Sequence, residues 1–221
     1  MALLQLYYHP FSSYSQKALI ALYENGIVFE RQVLEGPDSP ASQRLAAMWP
    51  MKRFPVLVDG ERVILEASCV IEYLHLHRPG PVRLIPSDPD QALEVRMMDR
   101  FFDNYLATPQ QKVVFNALRP AESRDAYGVQ EARDMLETAY AWLDQRMSDG
   151  RKWAVGDTFS LADCGAAPFL FYADWTHRIG DGHPHVTAYR RRLLARPSVA
   201  RAVDEARPFR PYFPLGAPDR D

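Results

Sequence analysis

A single segment divides this sequence into two parts with different folding patterns. Residues 78–90 read RPGPVRLIPSDPD and contain four prolines and one glycine, which is too many for the interior of a helix or a strand. Strand and helix signals alternate before this segment, whereas the apolar spacing after it is helical. The sequence therefore predicts two domains joined by a linker, with boundaries at residues 1–80, 81–88 and 89–221.

The part before the break predicts the element order βαβαββα. LLQLYY and IVFERQV are typical of strands, while SSYSQKALIALYENG and SPASQRLAAMW carry helical spacing. FPVLVDGERVIL predicts a β-hairpin because Asp59-Gly60 is a pair that suits a tight turn between strands. EASCVIEYLHLH has one apolar stripe and predicts a final helix. Alternating elements of this kind favour an α/β domain.

Helical spacing dominates the part after the break. Four apolar residues recur at every fourth position: Leu93, Met97, Phe101 and Tyr105. A kink is expected after them at Thr108-Pro109, because proline has no N–H to donate within a helix. FSLADC places Ser160 three residues before Asp163, which is the spacing of a capping box at a helix start. These signals predict an all-α domain.

Composition and charge narrow the classes of function. The chain has 47% hydrophobic and 24% charged residues and a net charge of -2, so it lacks the basic footprint of a protein that binds nucleic acid or an anionic membrane. Its longest apolar run, near CGAAPFLFYA, is about half as long as a membrane-spanning helix requires. The first residues lack the positive leader of a signal peptide. Two cysteines outside any C-x-x-C motif exclude a disulfide framework and favour a reducing cytoplasm.

The segment PFSSYSQK, residues 10–17, places several hydroxyl side chains directly after a predicted strand. A serine nucleophile needs a neighbouring base, yet no histidine follows this segment until His75. His75 and His77 fall on different faces of a helix, so no metal site is predicted there. A serine at the start of a helix can instead cap the free backbone N–H groups or donate to an anion held at that helix end.

Four segments in this order resemble the cytosolic glutathione transferase superfamily: LYYHPFSSYSQKALIALYENGI, WPMKRFPVLVDG, LEASCVIEYL and FSLADCGAAP. The similarity covers nearly the whole chain. It implies a thioredoxin-like domain that binds glutathione, followed by a helical domain that shapes the site of the second substrate. It also implies a homodimer that uses glutathione as a co-substrate and needs no metal.

On this resemblance, Ser12 is the hydroxyl that keeps the thiol of glutathione ionised. A free thiol has a pKa near 8.5, and a hydrogen bond to a charged group contributes about 1.5–3 kcal/mol. The start of a helix adds about 0.3–1 kcal/mol more. Ser13, Tyr7 and Tyr8 are the alternative donors, and a purely capping role for Ser12 is the structural alternative.

The resemblance also assigns the residues that hold the middle and one end of glutathione. It implies that Pro55 follows a cis peptide bond and that Phe54 offers its backbone N–H and C=O to the cysteinyl part, much as one strand pairs with another. Arg53, with Lys52 as the other basic residue of this turn, is expected to reach the glycine carboxylate. A solvated basic turn is the structural alternative for these two side chains.

The γ-glutamyl end is assigned to LEASCV, where the sequence departs from the family pattern. Glu66 matches the family's acidic position and is expected to accept a hydrogen bond from the α-amino group. Ala67 stands where the family has serine, and Ser68 follows one position later. Losing one hydrogen bond to a charged group weakens binding about ten- to a hundredfold, unless water or Ser68 replaces it.

The leading hypothesis is therefore a cytoplasmic glutathione transferase, with a role in detoxification, that conjugates glutathione to a small hydrophobic electrophile. Phe11 and Tyr105 are expected to line the site of that electrophile. A non-catalytic binding or scaffold protein is the first alternative, favoured by Ala67. A zeta-like maleylacetoacetate isomerase is the second, although its expected Cys and Arg are here Tyr14 and Lys17.

Overall fold

A four-stranded mixed sheet lies at the centre of the first part of the chain, in a computed structural model that describes residues 3–221. The strands β1 Leu4–Tyr8, β2 Phe29–Val33, β3 Val56–Asp59 and β4 Arg62–Ile64 are arranged in the order β2-β1-β3-β4. β1 runs parallel to β2 and antiparallel to β3, and β3 pairs antiparallel with β4. The helices α1 Ser13–Glu24, α2 Pro40–Met48 and α3 Ala67–His77 complete the predicted order βαβαββα.

Strand β1 sends alternate side chains into two separate cores. Leu6 and Tyr8 pack with apolar residues of α1 and α3 on one face of the sheet. Tyr7 points to the other face and packs with Ala41 and Leu45 of α2. This alternation follows from the period of two along a strand. Each large apolar side chain buried in this way contributes about 1.5–3 kcal/mol.

The second part of the chain is helical, as predicted. It contains the helices α4 Pro89–Phe101, α5 Thr108–Leu118, α6 Ala126–Met147, α7 Leu161–Thr176, α8 Pro184–Leu194 and α9 Pro197–Ala206. Helix α7 is buried along its whole length and forms the centre of this part. The capping box at its start is present, with the backbone N–H of Ser160 donating to Oδ2 of Asp163 at 2.9 Å. No helix within residues 3–221 is long and apolar enough to cross a bilayer.

The kink expected near Pro109 takes the form of a wider helical turn. Residues Phe102–Ala107 form a π-helix between α4 and α5. Because the proline nitrogen at position 109 has no hydrogen to donate, the regular ladder of α-helical hydrogen bonds cannot pass through it. Short π-helical turns of this kind redirect the helix that follows them.

Helix α1 joins the two parts of the chain. Its Lys17 is fully buried, and its Nζ lies 2.6 Å from Asp99 and 2.7 Å from Asp103 of the helical part. Its Gln16 donates from Nε2 to the hydroxyl of Tyr172 in α7 at 3.0 Å. These bonds fix the start of α1, and the residues just before it, against the helical part.

Candidate functional site

A cleft of about 520 Å³ opens where the start of α1 faces the helical part. Residues 11–14 and 52–54 contribute from the first part of the chain. Across from them, the cleft is lined by α5, by Tyr172 of α7 and by residues 212–214. The two walls of the cleft therefore differ in chemistry. The first, with its serine hydroxyls and basic side chains, suits a polar ligand, and the second, which is mainly apolar, suits an apolar molecule.

Ser12 occupies the N-cap of α1 and lines this cleft. Its backbone is extended, with φ of -84° and ψ of 125°, and its Oγ accepts a hydrogen bond from the N–H of Ser15 at 3.3 Å. Accepting that bond leaves the hydroxyl hydrogen of Ser12 available for donation. A donor at the positive end of a helix is therefore available to stabilise an anion in the cleft.

The alternative hydroxyl donors are held differently. Ser13 also lines the cleft, but it is buried, with only 8% of its surface exposed. Tyr7 is buried against α2, and Tyr8 is buried with its hydroxyl accepting from Arg31 at 3.0 Å. Burial raises the pKa of Tyr8. The sheet core thus holds both tyrosines, and neither is among the described residues that line the cleft.

A second, smaller cavity of about 20 Å³ adjoins the cleft, and the two share Tyr14, Arg53 and Phe54. The peptide bond between Phe54 and Pro55 is cis. Pro55, Glu66 and Ala67 also line this cavity. The structure thus brings six of the sequence-predicted residues to two connected cavities: Ser12, Arg53, Phe54, Pro55, Glu66 and Ala67.

Two non-glycine residues within 3–221 have a positive φ, and both lie at these cavities. Lys52 has φ of 53° and Glu66 has φ of 65°. Such a backbone costs of order 1–3 kcal/mol and is found preferentially at functional sites. Glu66 is exposed, caps α3 with its backbone, and makes no side-chain cap hydrogen bond. Its carboxylate is therefore not committed to capping its own helix.

Ser68 lies away from the two cavities. Its hydroxyl accepts from Nζ of Lys17 at 2.9 Å and donates to Oδ2 of Asp99 at 2.7 Å. Successive positions on a helix differ by about 100°, so the residue after Ala67 points towards α4. The hydroxyl that Ala67 lacks is not supplied by Ser68 in this arrangement.

The two aromatic residues predicted for the second substrate are on different surfaces. Phe11 lies in the cleft, with its ring 5.4 Å from Tyr172 and 6.4 Å from Phe213. Tyr105 is 50% exposed and lies beside Phe101, with ring centroids 5.7 Å apart, in a separate groove between α4 and α6. The π-helical turn that contains Tyr105 directs it away from the cleft.

Several residues of the cleft carried no sequence signal of their own. Tyr14 lines both cavities, and its pKa is raised by burial and by the nearby Asp103. Gln110 and Phe213 line the cleft from α5 and from the tail that follows α9. Their contribution depends on how distant segments pack, so no local pattern identifies them.

His9, which directly precedes the serine segment, has its Nδ1 engaged with the backbone. Its Nδ1 accepts a hydrogen bond from the backbone N–H of Phe11 at 3.1 Å, and its ring contacts Phe209 at 4.7 Å between centroids. Burial lowers the pKa of His9, which keeps the ring neutral near pH 7. Among residues 3–221, no group of three or more His, Cys, Asp or Glu side chains is arranged to hold a metal ion.

Comparisons with known proteins agree with this fold. Residues 6–82 match the glutathione S-transferase N-terminal domain, and residues 126–192 match the glutathione S-transferase C-terminal domain. A probable glutathione S-transferase of Nicotiana tabacum is 31% identical over 165 residues, which cover 74% of this chain and 67% of the relative. A probable maleylacetoacetate isomerase of Caenorhabditis elegans is 26% identical over 170 residues, covering 76% of this chain and 78% of the relative.

One solved structure is similar both in fold and in sequence. It is a glutathione S-transferase of Methylobacterium radiotolerans in complex with glutathione sulfonate. The two chains are 30% identical and superpose with a TM-score of 0.77, covering 91% of this chain and 95% of the other. The α/β part with its all-α continuation is thus a known arrangement.

Proposed function

The chain belongs to the glutathione S-transferase family, and from this premise we propose that it conjugates glutathione, through its thiolate, to a small hydrophobic electrophile. The observation that carries the proposal is the position of Ser12. Ser12 lines the same cleft as Arg53 and Phe54, so a peptide bound there can place its thiol at the hydroxyl and at the start of α1 while its backbone meets the backbone of Phe54.

Each part of glutathione has a counterpart in this site. The hydroxyl of Ser12 donates to the sulfur and stabilises the thiolate, while the start of α1 adds its positive end. The backbone of Phe54 pairs with the cysteinyl residue, and Arg53 pairs with the glycine carboxylate. Glu66 accepts from the α-amino group. The related Methylobacterium structure, which holds glutathione sulfonate, supports glutathione as the ligand.

The reaction needs no base from the protein once the thiol is ionised. The thiol proton goes to solvent, and the sulfur forms a bond to an electrophilic carbon of the second substrate. In a substitution, the leaving group departs with its bonding electron pair. The aromatic walls that Phe11, Tyr172 and Phe213 provide suit an apolar electrophile, because burying its surface contributes about 25 cal/mol per Å².

The isomerase alternative has less support at the atomic level. Lys17 stands where that class has an arginine, and here it is fully buried between Asp99 and Asp103. It is not among the described residues that line the cleft. A cation in this position holds the two parts of the chain together and does not contact a substrate.

Retention on immobilised glutathione tests the proposal directly. We expect the protein to bind such a resin and to elute with free glutathione. We expect Ala67→Ser to bind more tightly, lowering the Kd about ten- to a hundredfold, because it adds one hydroxyl beside a charged end of glutathione. Calorimetric titration of both proteins with glutathione measures the difference.

A matched control for this variant is Cys69→Ser, which adds a hydroxyl in the same helix at an exposed position outside the two cavities. It is expected to leave the affinity for glutathione as it is. Flow-through of the natural chain, with no gain on Ala67→Ser, would favour the non-catalytic alternative instead.

We further propose a homodimer formed through the groove between α4 and α6. This groove has a volume of about 990 Å³, and four of its apolar side chains are between 42% and 50% exposed: Met97, Tyr105, Met135 and Trp142. An apolar surface of this kind is typical of an interface. The arginine Arg100 at its edge pairs with Asp99 and Asp103 at 2.6 Å, so its charge is balanced.

Sedimentation analysis is expected to give about twice the chain mass of 25.3 kDa. Met135→Glu should shift the protein to the single-chain mass, because it places a carboxylate within the apolar groove. Tyr127→Glu, on the same helix but outside the groove and 77% exposed, should leave the mass unchanged. A natural chain that sediments as a monomer contradicts the proposed dimer.

The proposed location is the cytoplasm, and the proposed role is detoxification. Both cysteines are free, Cys69 being exposed and Cys164 buried. Burial raises the pKa of the Cys164 thiol well above its ordinary value, which keeps it unreactive. Free cysteines of this kind are compatible with a reducing compartment.

A further inference from the structure

Tyr14 lies where the two cavities of the site meet. It is the second residue of α1, is half-buried, and lines both the cleft that contains Ser12 and the smaller cavity that contains Ala67. Its ring packs against the ring of Phe169 in α7, with centroids 4.9 Å apart and an interplanar angle of 64°. The helix and this aromatic contact together fix the ring of Tyr14 at the junction of the cavities.

The hydroxyl of Tyr14 is available to a ligand. It makes no hydrogen bond with a side chain or backbone group within residues 3–221, and its oxygen is not one of the buried unpaired atoms of that range. The oxygen therefore keeps accessible surface. Tyrosine hydroxyls in buried surroundings usually have a hydrogen-bond partner, so the partner of this hydroxyl is expected to come from outside the chain.

One charged group of glutathione has no side-chain partner in the proposed site. The peptide carries one α-amino group and two carboxylates. Glu66 and Arg53, the charged residues that line the smaller cavity, are assigned to the α-amino group and to the glycine carboxylate. The carboxylate of the γ-glutamyl residue remains, because Ala67 has no hydroxyl to offer and the hydroxyl of Ser68 is bonded to α4.

The chemistry of Tyr14 suits this remaining carboxylate. Burial is the main cause of a raised pKa for Tyr14, and the charges of Asp103 and Glu66 add to it, whereas that of Arg100 opposes it. The phenol therefore stays protonated near neutral pH, and a protonated phenol donates a hydrogen bond. Arg100 lies 2.6 Å from Asp103, so the charge of this acid is offset and does not exclude an anion from the cavity.

We propose that Tyr14 is a glutathione-binding residue whose hydroxyl donates to the carboxylate of the γ-glutamyl residue, and that it thereby supplies from α1 the hydroxyl that Ala67 lacks in α3. The first backbone N–H groups of α3 have no partner within their helix and are further donors to the same carboxylate. A carboxylate has about four acceptor positions, so both sets of donors can bind it. This inference rests on the proposed glutathione conjugation and adds a binding residue to it.

Tyr14→Phe removes the hydroxyl and keeps the ring against Phe169. Calorimetric titration compares three ligands: glutathione, 4-aminobutyryl-cysteinylglycine, which lacks the γ-glutamyl carboxylate, and glutaryl-cysteinylglycine, which lacks the α-amino group. We expect the variant to raise the Kd about tenfold for glutathione and for the glutaryl peptide, and less than about twofold for the aminobutyryl peptide, because only the first two offer the carboxylate that loses a hydrogen bond.

Two further variants sharpen the comparison. Tyr127→Phe, at a position that is 77% exposed and outside both cavities, should leave the Kd of all three ligands unchanged. Ala67→Ser in the Tyr14→Phe background should return the Kd for glutathione to about its natural value, because a hydroxyl then reaches the same carboxylate from α3. Urea unfolding of Tyr14→Phe should match that of the natural chain, since the lost hydroxyl has no partner within residues 3–221.

Equal changes in Kd for the three ligands, or no change for glutathione, would overturn the inference. A lower kcat with an unchanged Kd for glutathione would place the hydroxyl of Tyr14 at the sulfur and would overturn it as well. If the natural chain binds glutathione and conjugates it to a chlorinated nitroaromatic, the proposed function stands whatever Tyr14→Phe does. If the natural chain does not bind glutathione, the proposed function and this inference both fail.

Discussion

Replacing Ser12 by glycine is expected to lower kcat/KM for conjugation at neutral pH about ten- to a hundredfold. The hydroxyl of Ser12 is the donor that we assign to the thiolate, and losing a hydrogen bond to a charged group costs about 1.5–3 kcal/mol. Since one pKa unit corresponds to about 1.4 kcal/mol, the apparent pKa of bound glutathione should rise by about one to two units. Thiolate absorbance in the ultraviolet, followed against pH, measures this shift.

Glycine is the informative replacement because Ser12 has two roles. Its Oγ also caps α1 by accepting from the N–H of Ser15. Alanine at an N-cap costs about 0.5–2 kcal/mol of stability, whereas glycine costs a few tenths. Ser12→Gly therefore removes the donor and largely preserves the helix. Urea unfolding of Ser12→Gly and Ser12→Ala separates the capping effect from the catalytic one.

Ser13→Ala identifies which serine is the donor. Ser13 lines the same cleft, so a larger loss of activity in Ser13→Ala than in Ser12→Gly would transfer the role to Ser13. Tyr7→Phe and Tyr8→Phe test in the same way whether either buried tyrosine is the donor. An unchanged rate and an unchanged thiol pKa in Ser12→Gly would leave Ser12 with capping alone.

Local sequence patterns could predict the parts of the fold that depend on residues close together in the sequence. The turn at Asp59-Gly60 joins β3 to β4, with Gly60 at φ of 60°, because few other residues adopt that conformation. The capping box of Ser160 and Asp163 also depends on neighbours in sequence. The order of strands and helices follows from the periods of two and 3.6 residues.

The candidate site was less predictable because its walls come from distant segments. The spacing of Tyr105 placed it on an apolar stripe, but only the packing of α4 against α6 shows that this stripe faces a different groove from Phe11. Ser68 follows Ala67 in sequence, yet its hydroxyl is bonded to Lys17 and Asp99. Gln110 lines the cleft from α5, beside residues that come from segments far away in the sequence.

Loss of the buried Lys17 should strongly destabilise the protein. Its Nζ lies 2.6 Å from Asp99 and 2.7 Å from Asp103, and its side chain is fully buried. Lys17→Met keeps the length and apolar stem but leaves both carboxylates without this cation. Removing one partner of a buried ion pair costs about 3–5 kcal/mol, a large share of the about 5–15 kcal/mol that holds a typical domain folded.

Urea unfolding at pH 7 measures this loss, and two further variants show where it comes from. Lys112→Met breaks an exposed pair with Glu131 and should cost less than about 1 kcal/mol. After Lys17→Met, Arg100 alone pairs with both Asp99 and Asp103, so the double variant Lys17→Met with Asp103→Asn removes one of two carboxylates that share a single cation and should recover part of the stability. Equal losses of unfolding free energy for Lys17→Met and Lys112→Met would show that burial does not increase the contribution of the ion pair to stability.

The pH dependence of Lys17→Met distinguishes lost charge pairing from lost packing. Burial raises the pKa of Asp103, and Lys17 opposes that rise. Without Lys17, the pKa of Asp103 in the folded protein therefore rises further above its unfolded value. A carboxyl group with a raised pKa binds its proton more tightly in the folded state, so its contribution to stability is present below the unfolded pKa and is lost as the pH rises through the folded pKa. The difference in unfolding free energy between Lys17→Met and the natural chain should consequently be larger at pH 8 than at pH 5, whereas a loss due to packing alone would be the same at both.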